Sequence, residues 1–124
     1  MTWANDTETT LKNVKDAIAR FTAERDWEKF HDLKNLSMAV ASEAAELMAH
    51  FRWVDAAASR DVMGEPELAV EIEHEVADVL LLLAEFANVA GIDMARAVDR
   101  KMQLNAQRYP VEKARGVAIK YDRL

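Results

Sequence analysis

Four carboxylates stand out by type and spacing: Glu43 and Glu46 in one segment, Glu75 and Asp78 in another. Three positions separate the members of each pair, so on a helix their side chains are neighbours on one face. Advancing about 100° per residue places Glu43 in the stripe formed by Leu36, Val40 and Leu47. The same phase places Glu75 among Leu68, Ile72, Val79, Leu82 and Phe86. An unpaired charge costs several kcal/mol or more to bury. Two acid pairs on apolar faces therefore require a counter-charge, and a divalent cation shared between facing helices supplies one. Donor sets made only of oxygen favour hard ions, so the expected cofactor is Mg²⁺, with Mn²⁺ as a substitute.

Other chemistries fit less well. Glu71-Ile72-Glu73-His74 has the E-x-x-H form of di-iron bundles, but those need a second such motif. The preceding helix offers only Glu46 and His50, four apart, and His74 projects away from Glu75 on the helical wheel. His74-Glu75 lacks the second histidine of a zinc-protease motif. Ser37, Ser42 and Ser59 have neither a histidine partner nor the glycines of a nucleophile elbow. No P-loop or dinucleotide fingerprint is present.

Cationic and aromatic groups suggest what a bound metal would meet. Lys101, Asn105 and Arg108 fall on one helical face, followed by Tyr109, Lys113, Arg115 and Lys120. Alone this stripe reads as a solvated basic face. Beside a metal it suits phosphate oxygens, by charge and by hydrogen bond. Trp27, Phe30, Phe51 and Trp53 flank the helix that carries Glu43. Such aromatics usually belong to a core or an interface. Trp27, however, sits in a polar connector with His31 and Asn35 nearby, the groups that stacking on a nucleobase and reading its edge require.

Long helices must position these groups. The 124 residues fit one domain spanning 1–124, and only three glycines and two prolines punctuate them. Hydrophobic periodicity predicts helices over about 7–25, 33–56, 67–89 and 93–107. Asp6 or Thr7 is the expected first N-cap, Gly91 the C-terminal cap of the third helix and Asp93 the N-cap of the fourth. Residues 1–6 and roughly 57–66 are expected to be mobile. The expected class is all-α, a four-helix bundle. A net charge of −6 argues against nucleic-acid binding without excluding a small anionic substrate. Cysteine is absent, so thiol chemistry is too. No signal peptide is visible at 1–6, and the longest apolar run, 79–84, is too short to span a bilayer. A cytoplasmic protein without membrane contact is the expectation.

The ordered set Glu43-x-x-Glu46, connector, Glu75-x-x-Asp78 resembles the MazG-type nucleotide pyrophosphohydrolases, and more narrowly their small all-α dCTP pyrophosphatase branch. The resemblance is carried by Glu24-Arg25-Asp26-Trp27, Phe30-His31, Asn35-Leu36, the segment 43–53, Glu75 to Leu80, and Arg108-Tyr109-Pro110-Val111-Glu112-Lys113, and it covers roughly 21–121. It implies Mg²⁺-dependent hydrolysis of a nucleoside triphosphate to the monophosphate and pyrophosphate, in nucleotide-pool sanitation. It also implies assembly as a homodimer or a dimer of dimers. Carried over by position, Glu43, Glu46, Glu75 and Asp78 would be the metal ligands and catalytic acids. Trp27, His31, Asn35 and Trp53 would surround the base and sugar. Lys101, Asn105, Arg108, Tyr109, Lys113 and Tyr121 would hold the phosphates or order the site. One departure is visible: the widespread first motif is E-E-x-x-E, whereas Ser42 precedes Glu43 here, as the pyrimidine-directed small members tolerate. The alternative is a non-catalytic helical oligomerisation module whose acids are solvated or paired across an interface.

Overall fold

Pro66 begins the longest helix, where its missing N–H costs nothing and its fixed φ suits the first turn. Gly91 ends it with φ of 69°, the left-handed geometry that glycine adopts without strain. The computed structural model describes residues 5–124. In chain order its helices are α1 (Leu11–Glu24), α2 (Leu33–Ala49), α3 (Ala56–Ser59), α4 (Pro66–Ala90), α5 (Met94–Arg108) and α6 (Val111–Ala114). Short 3-10 turns lie at Glu28–Phe30, Val62–Gly64 and Tyr121–Arg123. The class is all-α, with no strand among the described residues, and the four long helices are those expected from periodicity. The chain divides into two compact units, one ending at Gly91 and the other Ile92–Leu124.

In the first unit α4 packs against both α1 and α2. The buried apolar side chains are small in number: Val14, Leu36, Val62, Ile72, Ala84 and Ala87. Asn88 donates from its amide to the Lys15 carbonyl at 2.9 Å, tying α4 to α1. Thr22 and Glu85 are also buried, and they bond to each other. α2 and α4 run antiparallel, since His50 approaches Glu71 and Glu75 while His31, just ahead of α2, approaches Glu85.

Three boundaries differ from expectation, each for a local reason. α1 starts at Leu11 because Thr10 and Asn13 form a reciprocal capping box, with side-chain bonds of 3.1 and 2.9 Å. The Asn5 side chain takes the Thr7 and Glu8 amides at 2.9 and 3.1 Å, closing a separate turn ahead of it. α2 stops at Ala49, well short of residue 56, and residues 50–54 form turns. Asp55 then accepts from the Ala58 amide at 2.8 Å and starts α3 afresh. The segment 57–66 takes up most of α3 and the 3-10 turn at Val62–Gly64, with Val62 in the core. Of the 1–6 segment, residues 1–4 lie outside the described residues.

In the second unit Asp93 caps α5, accepting from the Arg96 amide at 3.0 Å. Tyr109 and Pro110 end it. Tyr109 and Tyr121 then meet edge to face at 6.0 Å, which folds the tail back onto the end of α5. No helix of the described residues is long and apolar enough to cross a membrane.

The Gly91 cap is directly testable. A Cβ there would meet nothing within 4 Å, so Gly91→Ala carries only the strain of a positive φ. It should cost about 1 kcal/mol. Urea unfolding should show a lower midpoint with an unchanged slope.

Candidate metal centre

Glu43 on α2 faces Glu75 and Asp78 on α4, and one carboxylate oxygen from each lies within 4.8 Å of the others. Antiparallel packing of α2 on α4 creates this convergence: neither helix alone could bring three acids together from two sequence positions so far apart. Glu43 and Glu75 are half-buried, while Glu46 and Asp78 are exposed. The acids thus sit at the rim of the seam between α2 and α4, the helices that carry the buried Leu36 and Ile72.

Their electrostatics are unfavourable without a ligand. At the trio's spacing each pair of full charges would repel by roughly 3–4 kcal/mol at an effective dielectric near 20, less where Asp78 meets water. Glu43 Oε2 and Glu75 Oε2 are buried with no hydrogen-bond partner. Native structures leave few such atoms, and each needs an explanation. Burial, then the adjacent Glu46 carboxyl, then the charges of Asp78 and Glu75, push the Glu43 carboxyl above the ordinary carboxylate range. Convergent oxygens, two orphaned lone-pair sites and mutual repulsion fit a hard divalent cation held by Glu43, Glu75 and Asp78. Glu46 lies outside that trio and next to it.

Sequence reasoning missed His50. Its Nε2 stands 3.7 Å from Glu75 Oε1 and its Nδ1 3.9 Å from Glu71 Oε2, so the imidazole lies close to both carboxylates. It lies seven positions after Glu43, and that phase was the available signal. Glu85 was missed as well. It falls seven residues beyond Asp78 on the same face of α4, but its partners Thr22 and His31 lie far away in sequence, so no local pattern marked it. His74 is exposed, as its helical phase suggests.

The remaining candidates fall into groups. Trp27 is partly exposed and packs edge to face on Phe21 at 5.8 Å. His31 closes the connector, its amide donating to Glu28 at 3.0 Å. Asn35 spends its amide on that connector, donating to the Phe30 carbonyl at 3.2 Å and to the Asp32 carboxylate at 3.1 Å. Trp53 is 90% exposed and lines an open cleft with Asp55, Asp61 and Glu65. In the second unit the Arg108 guanidinium stacks over the Tyr121 ring at 4.5 Å, and Tyr109 packs on the same ring. Asn105 is half-buried and accepts from the Tyr109 amide through its carbonyl at 2.8 Å. Lys101 and Lys113 are exposed.

Known proteins share this architecture and sequence. Rat dCTP pyrophosphatase 1 is 40% identical over 114 residues, covering 92% of this chain and 67% of that protein. Human dCTP pyrophosphatase 1 is 36% identical over 117 residues, covering 94% of this chain and 69% of that protein. The crystal structure of a pyrophosphatase from Archaeoglobus fulgidus superimposes with a TM-score of 0.75 at 32% identity, covering 89% of this chain and 98% of that one. Residues 38–124, which include all four acids, match the model of the MazG-like family. The chain belongs to the MazG-like family.

Proposed function

We propose that the carboxylate trio is the hydrolytic centre of a Mg²⁺-dependent enzyme that cleaves dCTP, or a modified deoxycytidine triphosphate, to the monophosphate and pyrophosphate. The chain is a nucleoside triphosphate pyrophosphohydrolase that serves nucleotide-pool sanitation. The preference for deoxycytidine rests on the relatives named dCTP pyrophosphatase 1. The observation that carries the metal assignment is the pair of buried, unpartnered oxygens on Glu43 and Glu75.

When bound, a divalent ion would neutralise phosphate oxygens and acidify a water. Glu43, Glu75 and Asp78 would hold it, and His50 would steady Glu75. Glu46, exposed and beside the trio, would take the proton from the attacking water. Trp27, His31 and Trp53 receive the base and sugar, and Asn35 fixes the connector that presents His31. Lys101, Asn105, Arg108, Tyr109, Lys113 and Tyr121 offer the charge and ring contacts suited to a pyrophosphate leaving group. Assembly as a homodimer or homotetramer is supported by apolar side chains left exposed in the single chain, among them Met38, Met48, Val76 and Val98.

Three outcomes test this reading. Glu43→Gln or Asp78→Asn should lower Mg²⁺-dependent pyrophosphate release about 100-fold or more while circular dichroism stays helical. Retained activity in both variants would overturn the assignment. A panel of canonical and modified triphosphates should show deoxycytidine nucleotides turned over fastest.

The third outcome is a reversal of sign in stability. Because Glu43 is pushed up in the folded state, the metal-free protein carries a penalty absent below the ordinary carboxylate range. The penalty grows as pH rises through that range and is complete above the raised folded value. At pH 7 without metal, Glu43→Gln should therefore melt higher than the wild type. At a Mg²⁺ concentration 100-fold above Kd the wild type should gain about 2.7 kcal/mol. The variant should gain little, so the order reverses. Thermal melts with chelator and with Mg²⁺ read both halves.

A further inference from the structure

α4 carries a second inward-facing acid two turns beyond the metal centre. Glu85 is 5% exposed, between the buried Ala84 and Ala87. Its Oε2 accepts from the Thr22 hydroxyl of α1 at 3.3 Å. Its Oε1 faces His31 Nδ1 at 3.9 Å, and that nitrogen is buried with no hydrogen-bond partner. A buried carboxylate served by one long hydroxyl bond lacks donors, and an imidazole nitrogen lacking a partner faces it. Each group supplies what the other lacks, and closing the gap by about 1 Å completes the bond.

The placement gives this pair a role. Seven residues separate Asp78 from Glu85, which puts them on one face of α4 about 10 Å apart along the axis. His31 therefore stands at a distance from the metal centre comparable to that between a nucleotide's phosphates and its base. The peptide that joins it to Phe30 is held at both of its polar groups, the N–H by the Glu28 carbonyl and the C=O by the Asn35 amide.

We infer that Glu85, seated by Thr22, is a positioning residue for substrate binding: its carboxylate accepts a hydrogen bond from His31 Nδ1–H and so turns the other nitrogen of the imidazole, Nε2, toward the nucleoside. A carboxylate at Nδ1 keeps a proton there and thereby sets the tautomer and the ring angle. The role rests on the nucleotide reading above, with His31 on the nucleoside side. Glu85 touches neither phosphate nor metal, so it belongs to affinity and selectivity.

The test combines kinetics with a readout of the ring itself. Glu85→Gln keeps size and shape. It should raise KM for the best triphosphate about tenfold while kcat changes less than about threefold. In a His31→Asn background, Glu85→Gln should have no further effect on KM. Long-range ¹H–¹⁵N spectra of the imidazoles should show His31 protonated at Nδ1 in the wild type and altered in Glu85→Gln. Thr22→Val should move the same signals in the same direction, and decides the matter if Glu85→Gln does not fold. Unchanged His31 signals, or an equal KM effect with and without His31, would overturn the proposal. A wild type that releases no pyrophosphate from any triphosphate would overturn the enzymatic reading instead, while the ring signals still decide whether Glu85 sets His31.

Discussion

The repulsion among Glu43, Glu75 and Asp78 governs how the rest of the first unit must be built. Three oxygens within 4.8 Å of one another favour separating α2 from α4. Only packing elsewhere along the same seam holds them together. α2 and α4 pack on each other and each buries a large apolar side chain, Leu36 and Ile72, and α1 also packs on α4. A folded protein that stores such strain at one place gives its ligand a large share of the stabilisation. Metal binding and fold integrity are thereby linked in one set of residues.

Helical phase made much of this legible in the sequence. Spacing alone put Glu43 beside Glu46 and Glu75 beside Asp78. The Gly91 and Asp93 caps were also readable, because a left-handed glycine and an aspartate N-cap are local chemistry. What spacing could not give was the depth of each acid. A wheel assigns a side chain to a stripe, but not to the centre or the rim of the packed seam, and Glu43 and Glu75 turned out half-buried at the rim. The start of α1 was misplaced because several capping residues stand in a row from Asn5 to Thr10. The reciprocal bonds of Thr10 with Asn13 decided among them. His50 and Glu85 stayed hidden for a related reason: their partners come from other helices.

The same limit affects the aromatic and amide candidates. Asn35 looked available for a ligand, yet both its donations serve the connector before α2. That makes it part of the scaffold that presents His31, consistent with a site whose recognition groups are braced by neighbours. Trp53 contrasts with it. A tryptophan 90% exposed gains little from its own chain. Its large apolar face is better used against a ligand or a second copy of the chain, and the turns that follow α2 hold it outside the core.

Two acid sites on one face of α4 show how differently a buried carboxylate can be compensated. Glu85 finds its partners within the chain, in the Thr22 hydroxyl and the facing His31 ring. That arrangement is complete without a ligand apart from one unclosed gap. Among the described residues, the trio near Glu75 meets His50 at Glu75 and another acid, Glu46, at Glu43. Polar groups supplied from within the fold tend to fix geometry, whereas groups left short of partners mark where something else must bind. The difference between the two sites follows from the partners each acid meets. α1 and the connector before α2 reach the level of Glu85 with a hydroxyl and an imidazole. At the level of Asp78, α2 presents a third carboxylate instead of a donor.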